Sequence, residues 1–208
     1  MKNIIITTSI KKNRFGYHHQ LDREWLTYFK NKQVNLFPFI FFNYNKNKIE
    51  KIFNTIKPIA VIFTGGNDLS CVKNNFENYL RDKLELNLLK YCIKNKITIL
   101  AICRGFQLIS THFKAKILPV KNHVRKTHKL TIIKNNIILQ NNLIVNSFHD
   151  YGIFDLDDKI DTLSKHIDGS VEIAHSERDK ILGFQFHPER KNHSQKYINK
   201  IIYKYLNI

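Results

Sequence analysis

In the first half of the chain, short runs of apolar residues alternate with longer segments whose apolar positions recur every three or four residues. Ile4–Thr8, Val34–Ile40, Ile59–Phe63 and Ile97–Ile102 are of the first kind and read as strands buried on both faces. Gln20–Lys32, Lys46–Ile56 and Asn74–Asn95 are of the second kind. In the last of these, Phe76, Leu80, Leu84, Leu88 and Tyr91 fall on one helical stripe. Strands and helices alternating at this rhythm imply parallel strands joined by right-handed crossovers. The expected fold is an α/β three-layer α/β/α sandwich, with functional residues at the carboxyl ends of its strands.

The pattern changes after Phe113. Short β-prone pieces at Leu130–Ile133, Asn136–Leu139, Leu143–Asn146, Asp161–Ser164 and Ser170–Ala174 predict antiparallel hairpins. A last strand, Ile181–Phe186, leads into His187-Pro188-Glu189, and Asn192–Leu206 has the spacing of an amphipathic helix. No internal repeat, Pro/Gly-rich linker or low-complexity tract divides the chain, so residues 1–208 read as one domain.

Composition narrows the class. An apolar share of 43% with 12% aromatics is that of a globular protein. No apolar run approaches the roughly 18 residues that span a bilayer. The first residues lack the cleavage site of a secretory signal, so the expected location is the cytoplasm. Three cysteines, Cys71, Cys92 and Cys103, give neither a disulfide framework nor paired zinc ligands. The formal charge of +17 favours anionic partners, but the lysines are scattered over nearly every segment. A basic nucleic-acid-binding protein is therefore an alternative reading. It lacks a recognisable module, and most aromatics lie in expected core segments.

Three strand ends carry candidate chemistry. Ile97–Ile102 runs into Cys103-Arg104-Gly105 and then a helix-like Phe106–Phe113, which puts a cysteine on a strand-to-helix turn. Ala101 and Gly105 leave room for a tight elbow, and a helix N-terminus favours a thiolate. Ile181–Phe186 ends in His187 and Glu189, a base and a carboxylate able to orient it. Ile59–Phe63 ends in Thr64-Gly65-Gly66-Asn67-Asp68, where paired glycines permit a turn that aims a backbone N–H at a ligand. Each string alone is weak, and their chain order at three strand ends is what gives them force.

Together AICRGFQ, TGGND and FHPE resemble the class I glutamine amidotransferases, and within them the γ-glutamyl amide hydrolases of the peptidase C26 kind, over nearly the full chain. The resemblance implies a flavodoxin-like fold and a triad of Cys103 as nucleophile, His187 as base and Glu189 as its partner. It implies an oxyanion hole from the backbone N–H groups of Gly65 and Arg104. Gly66, Gln107 and the segment Asn146, Ser147, Phe148 and His149, which is similar to the family's NSxH stretch, would hold the glutamyl group. The family normally has glycine where this chain has Ala101. No cofactor is implied, and a synthetase partner chain is possible without being required.

Gln20-Leu21-Asp22-Arg23-Glu24-Trp25 resembles a segment of short members that act on γ-glutamyl-CDP-amidate. This makes a nucleotide-linked amide, as used in capsular phosphoramidate synthesis, the expected substrate. Other γ-glutamyl amides, of the γ-glutamyl-aminobutyrate type, and glutamine itself are the alternatives. Arg14, Arg23, Arg104, Arg125, His18, His19, His123 and His128 are candidate diphosphate contacts. His18-His19 and His123…His128 have no carboxylate or cysteine at ligand spacing, so no metal is expected.

Overall fold

The computed structural model describes residues 1–40, 46–134 and 142–208. In chain order its strands are β1 (Lys2–Thr7), β2 (Ser9–Asn13), β3 (Gly16–Gln20), β4 (Val34–Phe39), β5 (Ala60–Phe63), β6 (Thr98–Ile102), β7 (Lys116–Pro119), β8 (Val124–Lys129), β9 (Thr131–Ile132), β10 (Ile144–Phe148), β11 (Tyr151–Phe154), β12 (Asp161–Lys165), β13 (Val171–Ser176) and β14 (Ile181–Phe184). The helices are α1 (Arg23–Phe29), α2 (Lys46–Ile56), α3 (Phe76–Lys94), α4 (Arg104–His112) and α5 (Gln195–Tyr205).

An eight-stranded sheet in the order β4-β1-β5-β6-β14-β13-β12-β9 forms the middle layer. Its first five strands are parallel and the remaining pairings antiparallel. Side chains alternate between faces, as the period of two requires. Ile4, Ile6, Ile62, Leu100, Ile102, Leu182 and Phe184 pack on one face with Trp25 and Phe29 of α1 and Ile198 and Ile202 of α5. Ile5, Val61, Phe63, Ile99, Ala101 and Ile181 pack on the other, against Ile49 and Phe53 of α2, Leu88 and Leu89 of α3 and Phe106 and Ile109 of α4. This is the expected three-layer sandwich. Pro38 lies in β4, the edge strand, where its missing N–H leaves no ladder bond unmade.

Three two-stranded ribbons, β2-β3, β7-β11 and β8-β10, stand outside the sheet. Of these, only β10 overlaps a strand expected from sequence. The helix expected at Gln20–Lys32 is present as the shorter α1, because β3 runs to Gln20 and Asp22 accepts from the Glu24 N–H and caps the helix there. The strand expected at Asn136–Leu139 lies outside the described residues. Helix α3 also departs from its expected stripe. Phe76 is exposed, while Arg81, Asp82 and Glu85 are buried in its first half. Among the described residues no helix is long and apolar enough to cross a membrane.

Candidate active site

Strands β5, β6 and β14 are immediate neighbours and parallel, so Thr64-Gly65-Gly66, Cys103 and His187 all leave the same edge of the sheet. The backbone of Cys103 has φ 51° and ψ −111°, a strained conformation for a side chain with a Cβ, costing of order 1–3 kcal/mol. It is held by the Cys103 N–H donating to the Phe184 carbonyl at 2.8 Å and by α4 starting at the very next residue. That approach leaves no room beside Gly105. A Cβ there would lie 2.3 Å from the Phe63 carbonyl oxygen, so α4 can sit on β5 only with glycine at this position.

His187 Nδ1 lies 2.6 Å from Glu189 Oε1, and Gly65 packs against both the His187 ring and Cys103. Burial works against protonating His187, but the Glu189 carboxylate and the Cys103 sulfur outweigh it and raise the imidazole to about 10. The Asn146 side chain fixes the base from behind, accepting from the His187 N–H at 2.9 Å and donating to the His187 carbonyl at 2.8 Å. Phe148 presents its ring edge-on to His187 at 5.8 Å between centroids.

Gly65 lies directly against this pair, since a Cβ on it would stand 2.7 Å from His187 Cε1 and 3.4 Å from Cys103 Cβ. Gly66 has φ 115°, which strains any other residue. Arg81 sets the orientation of the loop. Its guanidinium donates to the Thr64 and Gly65 carbonyls, each at 2.9 Å. In trans peptides the N–H points opposite the C=O, so the Gly65 and Gly66 N–H groups face away from Arg81. The Arg104 N–H is among the first four of α4, which have no partner within the helix. The Gly65 and Arg104 N–H groups are thus two backbone donors available beside the thiol.

A buried ion network supports this loop. Arg81 Nε donates to Glu85 at 2.8 Å, and Arg104 forms ion pairs with both Glu85 and Asp82. Asp82 accepts from the Ser70 N–H at 2.7 Å. Burial opposes ionising Glu85, yet Arg104 and Arg81 hold its carboxyl below the usual range. The Arg104 side chain is therefore not a diphosphate contact: it is committed to α3 and only its backbone faces the site. Arg81, Asp82 and Glu85 went unread as a support because the helix pattern assigned the buried face of α3 to its leucines.

A cavity of about 250 Å³ opens on His187, Glu189, Gly65 and Gly66. Gln20, Leu21, Asp22 and Trp25 form part of its wall, as do Lys11 and Arg190, two cations that sequence reasoning did not single out. Arg190 donates to Asp22 at 2.8 Å and stacks over Phe148 at 4.9 Å. Arg14, Arg23, Arg125 and His18 are outside its lining. Gln107 is also outside it: the side chain is buried and donates to the Tyr151 carbonyl at 2.7 Å. Asn146 and Ser147 are buried beneath the base rather than along the wall.

The histidines behave unlike the expectation from spacing. His123, His128 and His149 are buried together with Glu172, one side-chain donor atom from each lying within 4.8 Å of the others. The carboxylates arrive from 44 and 45 residues away, Glu172 at 3.0 Å from His128 and Asp168 at 2.7 Å from His123, which no local spacing reveals. His123 and His128 are therefore not diphosphate contacts, and the His149 side chain turns into this cluster.

Residues 4–189 match the family model of peptidase C26. The chain belongs to this family. It is thereby one of the class I glutamine amidotransferase-like proteins. Among relatives, a γ-glutamyl-CDP-amidate hydrolase of Campylobacter jejuni is 35% identical over 133 residues, 64% of this chain and 63% of that protein. Anthranilate synthase component 2 of Helicobacter pylori is 32% identical over 108 residues, 50% of this chain and 55% of that protein. The matched stretches thus span under two thirds of either relative. The fold is also that of a glutamine amidotransferase from Thermotoga maritima, with a TM-score of 0.68 at 17% identity, covering 98% of this chain and 82% of that one.

Proposed function

We propose that residues 1–208 act as one hydrolase domain that cleaves a γ-glutamyl amide, with γ-glutamyl-CDP-amidate as the substrate. Cys103 Sγ attacks the γ-carboxamide carbon, and the Gly65 and Arg104 N–H groups receive the oxyanion. His187 passes its Nε2 proton to the leaving nitrogen as the C–N bond breaks, while Glu189 holds the ring at Nδ1. Water then adds to the γ-glutamyl thioester, giving a proton back to His187 and then to sulfur, and glutamate departs. No cofactor enters these steps. Free cysteines suit a reducing cytoplasm.

The observation that carries this reading is that Gly65 packs against both Cys103 and His187, with the His187–Glu189 pair opening on the cavity. Lys11 and Arg190 in the same cavity favour an anionic leaving group, as does the named activity of the Campylobacter relative. A glutaminase subunit serving a separate synthetase is the second reading, favoured by the likeness to anthranilate synthase component 2.

Glutamate release from γ-glutamyl-CDP-amidate, γ-glutamyl-aminobutyrate, γ-glutamyl-putrescine and glutamine decides between them. The nucleotide amide is expected to be cleaved with the highest kcat/KM, and Cys103→Ala to abolish release while the protein stays folded. Turnover surviving in Cys103→Ala would refute the mechanism, and preference for glutamine would favour the glutaminase.

A further inference from the structure

Three strands meet around His123, His128, His149 and Glu172, none of which lines the substrate cavity. His123 precedes β8, His128 lies on it, His149 follows β10 and Glu172 is on β13. All four side chains are buried, between 0% and 5% exposed. The ring centroids of His123 and His128 are 4.2 Å apart, and those of His123 and His149 are 4.8 Å apart.

The outer contacts of these rings decide what they offer inward. His149 Nδ1 faces the Tyr151 carbonyl at 3.0 Å, which can only accept, so the proton belongs on Nδ1 and Nε2 keeps its lone pair. His123 Nε2 faces the Asp168 carboxylate at 2.7 Å, which leaves the lone pair on Nδ1. His128 Nδ1 faces Glu172 Oε1 at 3.0 Å, which leaves it on Nε2. Those three inward nitrogens and Glu172 Oε2 have no hydrogen-bond partner. With Glu172 ionised, three nitrogen lone pairs and a carboxylate oxygen face one another with no donor among them, and such a set cannot satisfy itself.

We infer that His123, His128, His149 and Glu172 form a binding site for one divalent transition-metal ion, zinc in the first instance. Three imidazoles and one carboxylate are a donor set that zinc accepts in tetrahedral geometry. Zinc–nitrogen bonds of about 2.0–2.1 Å put neighbouring ligand atoms about 3.4 Å apart, so a modest contraction closes the set. The carboxylate on His123 and the carbonyl on His149 are the outer-shell partners that ligating histidines ordinarily have. Four protein ligands leave no open position, so the ion acts as a clamp and takes no part in the hydrolysis. It ties the β8-β10 ribbon to β13, and β10 carries the Asn146 that holds the backbone of His187.

The test is zinc content and melting temperature of the folded wild-type protein, stripped with a chelator and dialysed against zinc. One zinc per chain is expected, with a melting temperature that rises on loading. Cobalt(II) in place of zinc should give the intense visible absorption of a tetrahedral site. Glu172→Gln and His128→Gln should each lose the metal, Asp168→Asn should weaken it about 10- to 100-fold, and the exposed His193→Gln should retain it. Folded wild type that takes up no zinc would overturn the inference, as would uptake unchanged in both ligand variants. None of these readouts uses substrate, so the result is independent of whether the hydrolase reading holds.

Discussion

Two buried polar clusters brace the site, and they differ in how far the protein completes them. Beneath the Gly65–Gly66 loop, each carboxylate oxygen of Glu85 and Asp82 faces an arginine or a backbone N–H. At the antiparallel end of the sheet, His123, His128, His149 and Glu172 turn unpartnered atoms toward one another. The first cluster is finished as structure: charges of opposite sign compensate one another and orient two peptide planes. The second has its outer contacts in place and its centre unsatisfied. A buried network whose carboxylate oxygens are all paired explains itself by folding, whereas one with convergent acceptors points to a ligand.

The most direct way to break the first cluster is Glu85→Ala, which leaves Arg81 and Arg104 buried with a single carboxylate between them. A loss of about 3–5 kcal/mol of unfolding free energy is expected in urea titration. Turnover should fall as well, because Arg81 then holds the Thr64 and Gly65 carbonyls less firmly. A loss under about 1 kcal/mol would mean that water reaches the network.

The His187–Glu189 pair is likewise a buried pair of opposite charges and can be read by pH. His187 is raised to about 10 in the fold, above an unfolded value of about 6.5. Its contribution to stability is therefore complete below about pH 6.5 and is lost as pH rises through about 10. Unfolding free energy should fall across this window in the wild type and fall less steeply in Glu189→Gln. Parallel profiles would show that Glu189 is not what holds the proton.

In the second cluster, Glu172→Gln should change the stability of chelator-treated protein little, since it replaces one buried acceptor by a neutral side chain of similar shape. The increment gained with zinc, about 2.7 kcal/mol at a hundredfold excess over the dissociation constant, should vanish. A variant that keeps the increment would place the ion elsewhere.

These two clusters also mark where the sequence stops being readable. Strands such as Ala60–Phe63 and Thr98–Ile102 announce themselves because burial on both faces demands continuous apolar runs, and the site residues follow because they sit at the ends of those runs. The ribbons β2, β3 and β8 carry SIKKN, GYHHQ and VRKTHK, mostly exposed and without alternation, so no periodic signal exists to find. Arg81 and Glu85 are four residues apart and readable as a helical pair, but their burial depends on Arg104 arriving from another strand end. The histidine cluster depends on partners 44 and 45 residues distant, which only the antiparallel excursion brings together.

The smallest expected effect on stability concerns the cavity wall, where Asp22 and Arg190 pair at 2.8 Å with both side chains over a third exposed. Unlike either buried cluster, this pair is screened by solvent and contributes at most about 1 kcal/mol. Asp22→Asn should therefore leave unfolding nearly unchanged. Its effect belongs in KM, because Arg190 is then free of its carboxylate partner and presents an uncompensated charge to an anionic substrate. A lower KM for the nucleotide amide, with kcat and the KM for glutamine unchanged, is the expected result of steady-state kinetics. Equal shifts for both substrates would show that Asp22 positions the wall as a whole and that Arg190 does not read the leaving group.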